Sequence, residues 1–514
     1  MTGQGTVSTY NLLVVITAAL GSFTFGFTVN VTGPVLGMPS FYDYFGLDIN
    51  ETTSVIGGIP ACYFGGGILG AALGAWTAER IGRRFTLLVG CIAGITGGVL
   101  IGSAVNVPML LLGRLLSGLC SGFFQTIVPV YQSEISPASR RGHLVGQHGF
   151  FLVVGGTTAV FAGLGCSFAS NPQLQWRLAL GLSALIWLPE SPRWLISRQR
   201  FDQAERTLVE LHKNPADPDN LFAASEFAQI REQLQLEKAE NRTIMTGLKQ
   251  PSMRKRFVIA VLTPGLLQCS GVLVIITYQM IAKSLVICLT LGKVILYEKL
   301  GITGWRSILL LGIYDAWSAV GNFFNAKMID RVGRKNLLFW GLLGSVICLS
   351  LYTAMVAQYA GTGNRVGCGF GVLFVYLYTT FYGFCLDVTS YVYCAEIFPT
   401  YMRTTGMAVS IISYFAPALL FAEIAPTAFS TIGWRFYLIF ILVPACGLPV
   451  IWFYFPETKG LTLEEVAGLF GDRVAATGSD NMTQSGSIGL EPASEKNIRN
   501  PLGRMKKERT LNDD

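Results

Sequence analysis

Arg114, Asp315, Asp387 and Glu423 each sit inside a run of about 20 largely apolar residues. An ionisable side chain at membrane depth is expensive, and where one is kept it pairs with another polar group or handles an ion or polar solute. Asp387 falls about two and a half turns before Glu396, where it can line an internal cavity and either titrate or accept hydrogen bonds. The competing reading makes it the structural partner of a buried amide such as Asn322 or Asn325. Asp315 and Glu423 fit helix ends equally well. A second set of charges recurs along the chain. Arg80-Ile-Gly-Arg-Arg84 returns as Arg331-Val-Gly-Arg-Lys335. Glu134-Ile-Ser-Pro, with Arg141 seven residues on, returns as Glu396-Ile-Phe-Pro with Arg403 at the same spacing, and Pro189-Glu-Ser-Pro returns as Pro456-Glu-Thr-Lys. Three motifs repeated in one order at offsets of 251, 262 and 267 residues divide the chain into two homologous halves.

The elements that must position these residues are membrane helices. Of 514 residues 51% are hydrophobic and only 13% charged, against about 25% charged in a soluble domain. Apolar runs cover 11–33, 54–77, 85–105, 108–130, 144–168, 257–280, 306–328, 337–359, 367–395, 405–429 and 436–455, each long enough to cross about 30 Å of hydrocarbon. The first ten residues carry neither a basic leader nor a small-residue cleavage site, so 11–33 reads as a retained first span. Basic residues cluster at alternate ends of the spans, whereas the first loop holds Asp43, Asp48 and Glu51 with no Lys or Arg. The positive-inside rule places the basic loops and both termini in the cytoplasm, which requires an even number of spans. Six spans per half meet that requirement.

Two segments depart from the pattern. The sixth span is uninterrupted only over 178–188, about 17 Å of helix at 1.5 Å per residue. After the seventh, 281–293 reads as inserted sequence. Both features are either genuine or the product of misplaced exon boundaries. The organisation expected is a cytoplasmic 1–10, a six-helix half over 11–192, a linker with short helices over 193–256, a second half over 257–455, and a largely disordered cytoplasmic tail over 456–514. Of the 69 charged side chains, 39 lie between Arg193 and Arg256 or from Glu457 onward.

Composition excludes most other classes. Eleven cysteines without CxxC spacing read as small apolar core residues, and three histidines without HExxH or a Gly-rich phosphate loop leave no metal, cofactor or catalytic centre to expect. The net charge of +7 sits beside membrane segments, which speaks against a nucleic-acid partner.

Gly113-Arg114, Tyr131-Gln-Ser-Glu134 to Arg141-Gly142, Pro189-Glu-Ser-Pro-Arg193, Asp330-Arg-Val-Gly-Arg334, Tyr393-Cys-Ala-Glu396 to Arg403, and Pro456-Glu-Thr-Lys-Gly460 together resemble the sugar porter family of the major facilitator superfamily, fungal members most of all. The resemblance implies an all-α membrane protein of twelve helices in two six-helix halves, acting as a monomer and rocking about a central site by alternating access. It implies that Arg83, Glu134 and Arg141, and likewise Arg334, Glu396 and Arg403, pair across helix ends to latch the outward-open state.

The family's sugar-binding pattern is only partly kept. In the seventh span Gln268 and Tyr278 survive; the fifth-span Gln aligns with Gly149 beside Gln147 and His148, the eighth-span Asn with Ser318, and the tenth-span Trp with Tyr391. The acid that proton-coupled relatives hold in the first span is replaced here by the stretch Phe25-Gly-Phe-Thr28, so Arg114 has lost its usual companion and diffusion is favoured over proton symport, unless Asp387 couples. The function expected is transport of a mono- or disaccharide or related polyol. Alternatives are a proton-coupled carrier of organic acids such as quinate, and a nutrient sensor that does not transport. Asn50-Glu-Thr52, in the loop expected outside, is a glycosylation sequon.

Overall fold

The computed structural model describes residues 9–36, 38–47, 53–136, 141–180, 250–275, 305–359, 364–461 and 463–471, with residues 202, 203, 206, 209 and 227. The sequon at Asn50, the sixth span beyond 180, most of the linker, the insertion at 281–293, Tyr278 and the tail beyond 471 lie outside them.

Among the described residues the chain is built of helices, with no strand. In the first half these are α1 (Thr9–Asn30), α2 (Thr32–Leu36), α3 (Pro39–Phe45), α4 (Thr53–Ile81), α5 (Arg83–Gly102), α6 (Val107–Ile135), α7 (Arg141–Ser167) and α8 (Pro172–Leu180). The second half supplies α9 (Pro251–Gln268), α10 (Trp305–Val332), α11 (Arg334–Tyr359), α12 (Arg365–Phe381), α13 (Asp387–Glu396), α14 (Arg403–Ile432) and α15 (Tyr437–Tyr454), and α16 (Leu463–Leu469) follows. Ten helical stretches are long and apolar enough to cross a membrane. The long helix α10 is an eleventh candidate on length, but carries Asp315, Lys327, Asp330 and Arg331.

The repeat seen in the sequence has a structural reason. α4 runs into α5, and α10 into α11, through single-residue turns at Gly82 and Gly333, with φ of 95° and 102°. That backbone conformation strongly favours glycine, so Ile-Gly-Arg and Val-Gly-Arg are the same hinge used twice. Within the halves α1 packs on α7 and α6 on both α4 and α5, while α11 packs on α12 and α15, and α9 on α14. Between the halves the main seams are α4 against α14 and α7 against α10.

Two details were not anticipated. The tenth span is not one continuous α-helix: Tyr382–Leu386 forms a π-helical turn between α12 and α13. The end of the first half away from the arginine motifs is capped by an aromatic cluster, in which Trp176 lies 5.3 Å from the rings of both Tyr44 and Phe45 and 5.8 Å from Phe41. Arg177 fastens that cap, donating to the Tyr44 hydroxyl at 2.8 Å and to the Gly102 and Ala104 carbonyls. Gln173 to Arg177, just before the short sixth span, are helical within α8.

Candidate functional site: a central polar cluster and two charge clamps

At the arginine-rich end each half holds a buried ion pair. Arg83, just past the Gly82 turn, donates from Nη2 to Glu134 Oε1 at 2.9 Å, both side chains being nearly inaccessible. Its counterpart Arg334 donates to both oxygens of Glu396, at 3.1 and 2.8 Å, and to Asp330 at 2.8 Å. Thr458 donates to Glu396 Oε2 at 2.9 Å, and Glu457 accepts the backbone N–H groups of Arg334 and Lys335 at 2.8 and 3.1 Å. A carboxylate on the exposed first N–H groups of α11 is favoured by the helix dipole. The Pro456-Glu-Thr motif therefore caps the helix that carries Arg334. Of the remaining predicted members, Arg403 is buried and donates to the Phe398 carbonyl at 3.2 Å, while Arg141 begins α7.

The halves also meet here. The His143 backbone N–H donates to Asp330 Oδ2 at 2.9 Å, and the His143 ring lies 3.1 Å from the Ala326 carbonyl. Across the other seam Glu79 accepts from the Thr404 and Thr405 hydroxyls at 2.7 and 3.2 Å. Asp330 and Glu79 each precede the hinge glycine by three residues, so the repeated motif ties both seams at this end. Sequence reasoning named neither contact, although the shared offset from the glycine is legible.

Deeper in the bundle, Tyr391 on α13 is the hub of a polar cluster shared by both halves. Gln125 Nε2 donates to its hydroxyl at 3.0 Å from α6, and the His148 ring packs edge-on against it with centroids 4.7 Å apart. His148 Nδ1 is 2.6 Å from Ser22 Oγ. Tyr414 on α14 lies 6.2 Å from Tyr391, ring to ring, and faces Gln268. Asp387 begins α13 directly after the π-turn, beside Asn322 and near the hydroxyls of Tyr382, Tyr391 and Tyr414. A π-turn adds one residue to the helix and re-aims the side chains that follow, a device frequent at functional sites.

Several buried polar atoms around Tyr391 find no hydrogen-bond partner inside the protein: Gln125 Oε1, His148 Nε2, Asn322 Oδ1 and Gln268 Oε1. Buried polar groups are normally paired, so this much unused capacity in one place marks a surface that meets a polar solute. The side chains differ usefully in chemistry. Amides donate and accept, the imidazole does one or the other at Nε2, and Asp387 only accepts when ionised.

The other predicted residues are placed as follows. Ser318 is buried opposite Gly383 of the π-turn and supplies the carbonyl that Asn322 Nδ2 donates to at 3.0 Å. Gln147 turns back to the His143 carbonyl at 3.3 Å on its own helix. At Gly149, a Cβ would lie 2.8 Å from Val388 Cγ2, so that position is closed by packing. Asp315 is buried about ten residues inside α10 and is no helix-end group; its Oδ2 has no partner, and Tyr376 is nearby. Glu423 is exposed near the Gly57 backbone, away from the cluster. Arg114 is buried in the first half. It donates to the Thr28 carbonyl at 3.2 Å and to the Thr32 hydroxyl, and it lies 4.8 Å from the Tyr63 ring centroid. No carboxylate pairs with it among the described residues. Gln125 and Tyr414, missed in the sequence, belong to no local motif, and only the crossing of α6, α13 and α14 selects them.

Two helical halves, each with its own charge clamp and sharing one buried polar cluster at their interface, define a polytopic carrier of the major facilitator type. The chain belongs to the sugar (and other) transporter family, whose model matches residues 14–470. It is 30% identical over 469 residues to an MFS-type transporter, criB, of Aspergillus cristatus, covering 89% of this chain and 92% of that one. It is 26% identical to a high-affinity glucose transporter of Kluyveromyces lactis (91% and 86% covered) and 27% identical to a probable quinate permease of Aspergillus clavatus (90% and 88%). Among solved structures, the proton:xylose symporter XylE bound to 6-bromo-6-deoxy-D-glucose superposes with a TM-score of 0.74 at 22% identity, covering 90% of this chain and all of XylE. The fold is thus the twelve-helix, two-half bundle, and the protein is a multi-pass membrane transporter and not an enzyme.

Proposed function

We propose that this protein carries a sugar or related polyol across the membrane by alternating access, with the solute held around Tyr391 and released as the halves 11–192 and 257–455 rock about it. The observation that carries the reading is the set of unpaired buried amide and imidazole atoms of Gln125, His148, Gln268 and Asn322 around one tyrosine hydroxyl. Such groups match the alternating donors and acceptors of a polyol, and they come from both halves, as a site exposed to each side in turn requires. The glucose-transporter relative and the family description point the same way.

The His143–Asp330 and Glu79–Thr404 contacts close the arginine-rich end, which in this reading is the cytoplasmic end of a plasma-membrane protein; the basic loops support that sidedness. The chain acts as a monomer in this reading. Protons are a second cargo if Asp387 takes one up with the solute.

Uptake of labelled sugars in cells deficient in hexose transport tests this. Saturable uptake of at least one mono- or disaccharide is expected, and none across a broad panel overturns the proposal. Uptake of quinate to the exclusion of every neutral sugar overturns it as well, in favour of an acid carrier.

A further inference from the structure

Asp387 is the acidic member of the central cluster, and its surroundings are specific. It keeps 7% of its surface accessible while its neighbours Val388 and Thr389 keep none. Tyr382, Tyr391 and Tyr414 surround it, with Asn322 alongside. Tyr391 and Tyr414 stand 6.2 Å apart, and Tyr378 backs Tyr382 at 6.1 Å.

Among the described residues no Lys or Arg pairs with Asp387. Arg114 is taken up by Tyr63, Thr28 and Thr32, and the His148 ring packs on Tyr391 with Nδ1 held by Ser22. A buried carboxylate without a counter-charge is costly and is relieved either by a proton or by a cation, whereas a neutral polyol leaves the charge uncompensated however many hydroxyls it donates. An organic cation compensates it, and tyrosine faces add a favourable field for the same charge, since aromatic rings attract an ammonium within about 6 Å.

We propose that the solute is an aminated sugar or amino polyol, with its ammonium group between Asp387 and the ring faces of Tyr391 and Tyr414 and its hydroxyls on Gln125, Gln268 and Asn322. This rests on the transport reading above and narrows it. Asp387 is then the residue that sets specificity, favouring amines over neutral sugars and repelling carboxylates.

The test is uptake in hexose-transport-deficient cells expressing the full chain, comparing labelled glucosamine and glucose, with N-acetylglucosamine and gluconate as competitors. N-acetylation keeps the ring and removes the charge. A charge-assisted contact is worth about 1.5–3 kcal/mol, roughly 10- to 100-fold in affinity. Glucosamine is therefore expected to have a KM at least about tenfold below that of glucose, with N-acetylglucosamine and gluconate competing poorly. Asp387→Asn should bring the ratio of the two KM values to about one, and Asp387→Glu should keep glucosamine ahead. Saturable glucose uptake without an amine advantage overturns this inference and leaves the transport reading standing, as does an amine advantage that survives Asp387→Asn. Neutral-sugar uptake that rises with external acidity and shows no amine preference also overturns it, with a proton as the compensating charge. No saturable uptake of any of these solutes overturns both.

Discussion

Asp330 binds the two halves together at the backbone of His143: its Oδ2 accepts the His143 N–H at 2.9 Å while its Oδ1 accepts from Arg334 at 2.8 Å. One carboxylate therefore belongs at once to the seam between halves and to the clamp inside the second half. Through Arg334 it is connected to Glu396, and through Glu396 to Thr458. Parting the seam breaks the Oδ2 contact to His143 and leaves the Oδ1 contact to Arg334, which lies wholly within the second half.

Neutralising that carboxylate should shift the population of conformers more than it unfolds the protein. Asp330→Asn weakens a charge-assisted acceptor worth about 1.5–3 kcal/mol, so the closed arginine-rich end should open about 10-fold or more as often. Alkylation of a cysteine introduced beside the central cluster, with reagent supplied from the arginine-rich side, should accelerate accordingly. Unchanged labelling would show that the seam is held elsewhere.

Removing the guanidinium should have the opposite character. Arg334→Ala leaves Glu396 buried with the hydroxyl of Thr458 as its remaining described partner, and breaking a buried pair on one side costs about 3–5 kcal/mol. A marked fall in melting temperature in detergent is expected. Arg334→Lys should recover only part of it, because an ammonium cannot reproduce the two-pronged contact with Glu396.

Tyr391→Phe keeps the ring against His148 and Tyr414 but strips Gln125 Nε2 of its acceptor. A solute hydroxyl held at Tyr391 loses its partner as well, at a cost of about 1–3 kcal/mol. The expected result is a KM for the transported solute raised about 5- to 100-fold with surface expression near normal. An unaltered KM would remove Tyr391 from the site.

Gly149→Gln, which restores the amide common in the family at this position, should not restore family-like behaviour. Its Cβ meets Val388 Cγ2 at 2.8 Å, and overpacking of a tight interface costs about 1–3 kcal/mol. The variant should be less stable than the parent, and adding Val388→Ala should recover part of the loss in a double-mutant cycle. Strict additivity would mean that the two residues do not compete for the same space.

The amino-acid sequence by itself determined the class of architecture. Long apolar runs need helices to satisfy their backbone in lipid, and a glycine turn followed by Arg83 in one half and Arg334 in the other fixed both the duplication and the ends where the charges lie. The ion pairs Arg83–Glu134 and Arg334–Glu396 were legible through the resemblance to the sugar porter family, which implies pairing of these residues across helix ends. What the sequence left undecided was which polar residues inside the spans meet one another. Gln125 and Tyr391 are 266 positions apart and belong to different halves, and Asp387 takes its aim from a π-turn that no local preference announced. Helical periodicity says which face of one helix a residue occupies, whereas a site built at the crossing of several helices depends on their relative rotation and depth. Packing sets those, and only the tertiary structure decided that the unpaired amides, the histidine and the single carboxylate converge on one tyrosine.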